Sequence, residues 1–123
     1  EEDGKLEDLK KSWLASEYAQ RKPAAIEVPF ESVIAGVLVR GRIDAVYETP
    51  DGFEVVDWKT GSKQLGQSAA IQLAMYRLAW ARLKSIDVSK VSAAFHYVPT
   101  SVTDKRADLL DEAALVSLIQ SLQ

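Results

Sequence analysis

Cysteine is absent from these 123 residues. That excludes a disulfide framework, a thiolate zinc site and an iron–sulfur cluster within the segment. The absence fits a reducing compartment, and a cytoplasmic location is the expectation. No apolar run approaches the length of a membrane span and no signal-peptide pattern is visible, so no membrane partner is expected. Excess positive charge is missing too, with a formal net charge of −3. A self-sufficient nucleic-acid-binding domain usually carries a basic footprint, so this balance counts against tight independent DNA binding. Internal repeats and low-complexity tracts are absent as well. The chain opens Glu1-Glu2-Asp3-Gly4 without Met, which predicts a segment of something longer.

What is present is enough for a core. Hydrophobic residues make up 47% of the chain, and the length fits one domain over 1–123. Residues 5–20 read as an amphipathic helix, with Leu6, Leu9, Trp13, Leu14 and Ala15 roughly on one face and Pro23 closing the segment. Ala25 to Phe30 reads as a short strand, Ile26, Val28 and Phe30 alternating against Glu27. Ser32 to Tyr47 reads as one or two strands, with Gly36 and Gly41 marking a turn and a bulge or close approach. Thr49-Pro50-Asp51-Gly52 is a hairpin turn signal leading into a strand from Phe53 to Lys59.

Residues 62–67 read as a polar loop. Ser68 to Lys84 is the strongest helix: Ile71, Met75, Leu78, Ala79 and Arg82 share a face, and Leu73, Tyr76, Trp80 and Leu83 broaden it. That width predicts burial against a sheet. Val91 to Val98 reads as a central strand bounded by Pro99. Residues 100–110 read as a short edge strand or a loop, and Asp111 caps a last helix to about Gln123. The order helix, three strands, helix, strand, helix predicts an α/β domain with a mixed sheet flanked by helices.

The chemistry gathers at two short motifs. Asp is disfavoured inside a strand, so Asp44 within Gly41-Arg42-Ile43-Asp44-Ala45-Val46 requires a reason. Asp57 sits in a still more apolar setting, Val55-Val56-Asp57-Trp58, where a lone buried carboxylate is costly unless paired or metal-bound. Asp57 and Lys59 point to one face of their strand, because side chains alternate with period two. Two readings follow. Lys59 neutralises Asp57 as a structural pair, or Asp44 and Asp57 share a hard cation beside Lys59. Gln72 and Tyr76 lie four residues apart on one helix face. Either they reach towards this site, or Gln72 faces solvent and Tyr76 belongs to the core.

Together, Gly41-Arg42-Ile43-Asp44, Val56-Asp57-Trp58-Lys59-Thr60-Gly61 and Gln72-Leu73-Ala74-Met75-Tyr76 resemble, in order and spacing, the motifs of the PD-(D/E)xK nuclease superfamily. They look most like the RecB-like nuclease domains at the C-termini of UvrD-type helicases in bacterial break-resection machines. Glu27-Val28-Pro29-Phe30 resembles the strand that precedes the active site in that group, and the likeness covers roughly residues 13–98. The resemblance implies a restriction-endonuclease-like fold and a Mg²⁺- or Mn²⁺-dependent deoxyribonuclease acting in recombinational repair. It implies DNA, the helicase domains of the parent chain and a second helicase–nuclease subunit as partners, in the bacterial cytoplasm. By the same resemblance, Asp44, Asp57 and the Trp58 carbonyl would bind the metal. Lys59 would position the attacking water or stabilise the transition state. Gln72 and Tyr76 would support the site and contact the DNA backbone, with Glu27 as an accessory.

One feature of that group is not matched. Its members usually carry a metal-binding His on a helix well upstream, whereas the single His here is His96, inside a predicted strand. A half-buried structural role is the expectation for it. The acidic charge and the missing His motivate a competing reading, a nuclease-fold module that no longer cuts and serves for DNA binding or helicase docking.

Overall fold

A computed structural model describes residues 2–61 and 66–122. Helix α1 (Glu2–Leu14) and a 3-10 turn (Glu17–Gln20) precede β1 (Ala25–Ile34), β2 (Val37–Thr49) and β3 (Gly52–Lys59). Helix α2 (Gln67–Lys84) and a second 3-10 turn (Val88–Lys90) lead to β4 (Val91–Tyr97), β5 (Val102–Arg106) and α3 (Glu112–Ser121). The strands form one sheet in the order β1-β2-β3-β4-β5. Strands β3 and β4 run parallel and the other neighbours antiparallel. A parallel pair requires a long crossover, and α2 supplies it. The sheet is mixed and flanked by helices, as the order of sequence patterns predicts.

Some details sharpen or correct the sequence expectation. Strand β1 runs on to Ile34, because Ala35 and Gly36 both take positive φ (54° and 79°) and close a two-residue hairpin into β2. Of the two readings of residues 100–110, the edge strand is the one found: residues 102–106 pair beside β4. The first helix stops at Leu14. There the buried Ser16 hydroxyl donates to the Trp13 carbonyl at 2.7 Å, and this local bond competes with helix continuation. Part of the predicted apolar face of α1 is open, with Leu6 67% and Leu14 57% exposed, while Trp13 packs beside Trp58. Leu83 likewise points to solvent rather than broadening the buried face of α2. Of the predicted 62–67 loop, residues 62–65 lie outside the described residues.

The main core lies between the sheet and α2. Leu73, Tyr76, Trp80 and Ala81 pack on Ile43, Val46, Val55, Val91, Ala93 and Phe95. Helix α3 extends this layer through Leu115 and Ile119 against Ile34, Ala74 and Leu78. Asp111 caps α3 as predicted, its Oδ1 accepting from the Ala114 N–H at 2.9 Å. The opposite face carries a smaller cluster of Tyr18, Ala45, Tyr47 and Val56, with Trp13 and Trp58 against it. Beside it, buried Glu54 accepts from the Tyr18 hydroxyl at 3.1 Å and sits 3.6 Å from Arg21, so its charge is compensated.

Gly52 fixes how β3 and β4 start together. A Cβ there would lie 2.0 Å from the Lys90 carbonyl oxygen, a backbone atom that moves only with the second 3-10 turn. Gly52→Ala is therefore expected to destabilise the fold by about 1–3 kcal/mol, the usual scale of overpacking. An unchanged thermal midpoint would contradict this contact.

Candidate active site

The site forms where β2 and β3 part. Their ladder ends at the Ala45–Val56 pair, whereas β3 continues beside β4 through Lys59. The main chain of Trp58 therefore lies past the end of the β2 ladder. Its N–H is not left unpaired: it donates to Asp44 Oδ2 at 2.9 Å. In an extended strand the N–H and C=O of one residue share an edge, so the Trp58 carbonyl faces the same gap.

Asp44 reaches this gap through an irregularity in β2. Ile43 and Val46 both belong to the core under α2, while Ala45 and Tyr47 belong to the opposite face. The period-two alternation thus slips by one residue between Ile43 and Val46. Directly across on β1 stands Glu27. The ladder pairs Ile26 with Ala45 and Val28 with Ile43, and skips the pair between. Glu27 has φ 47°, a left-handed conformation rare outside glycine and at a cost of order 1–3 kcal/mol. Its side chain is exposed. The strained residue and the slipped carboxylate face one another across the ladder.

Asp57 is 8% exposed. Burial pushes its carboxyl up to about 6, a hydrogen bond with Asp44 adds to the rise, and Lys59 opposes it. Two carboxylates close enough to share a proton are costly to ionise together. Lys59 Nζ stands 2.9 Å from Asp57 Oδ2 and relieves part of that cost. Tyr76 comes down from α2 on the same side. Its hydroxyl is raised above its ordinary pKa, first by burial and then by the charges of Asp57 and Asp44. Its ring packs edge-on to Phe30, with centroids 5.5 Å apart.

Asp44, Asp57, Lys59, Tyr76 and the Trp58 main chain are thus brought together. Gln72 is not in this cluster: one turn earlier on α2, it is exposed and makes no side-chain hydrogen bond among the described residues. His96 lies on the neighbouring strand in register with Trp58 and is fully buried rather than half-buried. Its Nδ1 is 2.9 Å from the Thr103 hydroxyl, and burial holds its pKa down. It packs against Trp13, Tyr18 and Trp58 and takes no part in the carboxylate cluster. Trp13, by spacing a member of a helix's apolar face, instead stands 5.1 Å from Trp58 beside the site.

The donors suit a hard divalent cation. Asp44 and Asp57 offer adjacent oxygen ligands whose mutual repulsion a dication would remove, and the Trp58 carbonyl faces the same gap. Among the described residues no third acidic or histidine side chain joins them into a group of three. A complete coordination shell would therefore draw on water and substrate oxygens, as open catalytic sites do.

A mixed sheet with flanking helices and a carboxylate pair at a strand fork defines a restriction-endonuclease-like α/β domain. The chain matches the PD-(D/E)XK nuclease superfamily over residues 4–121, and it belongs to that superfamily. It is similar to the Gene 69 protein of Mycobacterium phage D29, with 41% identity over 71 residues, which is 58% of this chain and 25% of the phage protein. It is also similar to a solved structure described as the crystal structure of SSO0001. There the TM-score is 0.52 at 21% identity, covering 94% of this chain and 55% of that one, a likeness of fold. The chain thus spans a quarter of the one relative and about half of the other.

Proposed function

We propose that this domain hydrolyses DNA phosphodiester bonds with Mg²⁺ or Mn²⁺ held by Asp44, Asp57 and the Trp58 carbonyl. The observation that carries the reading is the Asp44–Asp57 pair at the β2–β3 fork, with Lys59 Nζ 2.9 Å from Asp57. A bound dication would lower the pKa of a water and neutralise charge on the scissile phosphate. The protein's own groups do the rest. Asp44 is anchored by the Trp58 N–H, so one oxygen keeps its direction. Lys59 stands at the end of β3, where its ammonium can meet the nucleophile or a phosphate oxygen. Tyr76 backs the two carboxylates from α2 and keeps bulk water from that side. Gln72, exposed one turn earlier on α2, serves with Tyr76 as a contact to the DNA backbone, and Glu27, across β1 from Asp44, helps to organise the site.

The likeness of the three motifs to RecB-like nuclease domains supports a role as one module of a helicase–nuclease in DNA repair.

Calorimetric titration of the intact protein with Mn²⁺ tests the site. Binding is expected, with a loss of at least tenfold in affinity for Asp44→Ala, in line with removal of a charged ligand. Equal affinity in both proteins would remove Asp44 from the site. No binding in either would favour the competing reading, a nuclease-fold module that has stopped cutting.

A further inference from the structure

On the sheet face opposite Asp57 and Lys59, the fold carries a second feature that the hydrolytic reading does not use. Trp13 at the end of α1 and Trp58 on β3 stand edge to face, and with Val98 they line an open apolar pocket of about 320 Å³. Both indoles are only half-buried, and Pro99 beside them is fixed by the Ser12 hydroxyl, which donates to its carbonyl at 2.8 Å. The pocket floor is backed by aromatic packing, Trp58 lying against Tyr18, Tyr47 and the buried His96.

Charge around the pocket selects the occupant. Lys10 and Lys11 are exposed in the last turns of α1, three and two residues before Trp13, and neither is in an ion pair among the described residues. Aromatic faces beside these lysines suit a single-stranded nucleic acid: the rings stack on bases and the ammonium groups meet the adjacent phosphates. An apolar helix would meet the same rings but would leave the two ammonium groups without an anion. The pocket is also joined to the cleavage site through one residue, because Trp58 places its ring here and its N–H against Asp44.

We propose that the Trp13–Trp58–Val98 pocket is a nucleobase-stacking site that anchors an unpaired nucleotide close to the phosphate presented to Asp44 and Asp57. The proposal rests on the nuclease reading for its purpose but not for its measurement. The strand would cross the C-terminal end of β3, with its base on one face of the sheet and its neighbouring phosphate on the other.

The test uses fluorescence anisotropy on the intact protein carrying Asp57→Asn, with labelled oligothymidylate and an abasic oligomer of the same length as probes. Trp13→Ala in this background is expected to weaken oligothymidylate binding on the order of tenfold, the scale of one lost stacking contact, and to leave abasic binding nearly unchanged. Trp13→Phe, which retains a ring, should restore most of the affinity, and so separates stacking from a loss of fold. Equal binding of the two probes by the Trp13 protein, or equal loss for both probes in Trp13→Ala, overturns the site. Absence of metal-dependent cleavage in the wild type would instead sink the nuclease reading while leaving a base-selective loss at Trp13 intact.

Discussion

Lys59→Ala in the intact protein is expected to lower the rate of DNA cleavage by about 10²–10³ or more, the effect of deleting a preorganised charge at a reacting phosphate. Asp57→Ala is expected to abolish cleavage, because on the proposed assignment it removes a metal ligand outright. Both should leave the fold in place. Lys59 lies at the last position of β3 and is partly exposed, and its contact of note is the ion pair with Asp57. Asp57 is buried and Lys59 only partly exposed, so Lys59→Ala is expected to lower the melting temperature while the protein still folds. The two variants should differ in metal binding. Lys59→Ala retains both carboxylates and removes the cation that competes for Asp57, so Mn²⁺ should bind at least as tightly as in the wild type. Asp57→Ala should lose it. Measurement of single-turnover cleavage alongside metal titration separates the roles. Full activity of Lys59→Ala would return Lys59 to a structural pairing role, and full activity of Asp57→Ala would remove the site altogether.

Much of this arrangement is legible in sequence because it depends on local rules. The shared face of Asp57 and Lys59 follows from strand periodicity, and the strand itself from Val55, Val56 and Trp58. The Thr49–Gly52 turn and the broad apolar face of Ser68–Lys84 place the motif-bearing strand beneath a helix. Gly41, read as a close approach, is one: a Cβ there would lie 2.9 Å from the Phe30 ring and 3.0 Å from the Tyr76 ring. What sequence does not reveal depends on distant pairing. The slip that turns Asp44 towards Asp57 is set against Glu27, seventeen positions earlier, in a left-handed conformation that no glycine announces. The Trp13–Trp58 contact joins residues whose own segments read as a helix face and a strand. The exposed Leu6 and Leu14 show the same limit: periodicity gives a helix its apolar side, and only the rest of the fold decides whether anything covers it.

The Asp44–Asp57 pair should make the metal-free protein less stable than it needs to be. In the unfolded chain an Asp titrates near 3.9. In the fold Asp57 is pushed up to about 6, by burial and by its hydrogen bond with Asp44. The folded state therefore binds this proton more tightly than the unfolded state does. Below pH 4 both states hold it, and Asp57 costs nothing in charge. As pH rises from about 4 to 6 the unfolded chain releases it first, so stability falls, and above 6 the full cost remains. Two pH units correspond to nearly 3 kcal/mol, and solvent screening at this partly open site reduces that to about 2 kcal/mol.

Asp57→Asn keeps the shape and removes the charge. With metal chelated at pH 7.5 it is expected to melt higher than the wild type, with the difference shrinking towards pH 4. Saturating Mg²⁺ should reverse the order. At a hundredfold excess over the dissociation constant, binding stabilises the wild type by about 2.7 kcal/mol, and the Asn variant forgoes most of it. Metal affinity of the wild type should likewise rise through pH 6, because Asp57 must release its proton to act as a ligand. Thermal melts of both proteins across pH, in chelator and in Mg²⁺, give all three results. A variant that melts lower than the wild type in chelator at pH 7.5 would mean that the Lys59 pair outweighs the repulsion from Asp44. The carboxylates would then be held together by the fold's own charges, with no need of a cation between them.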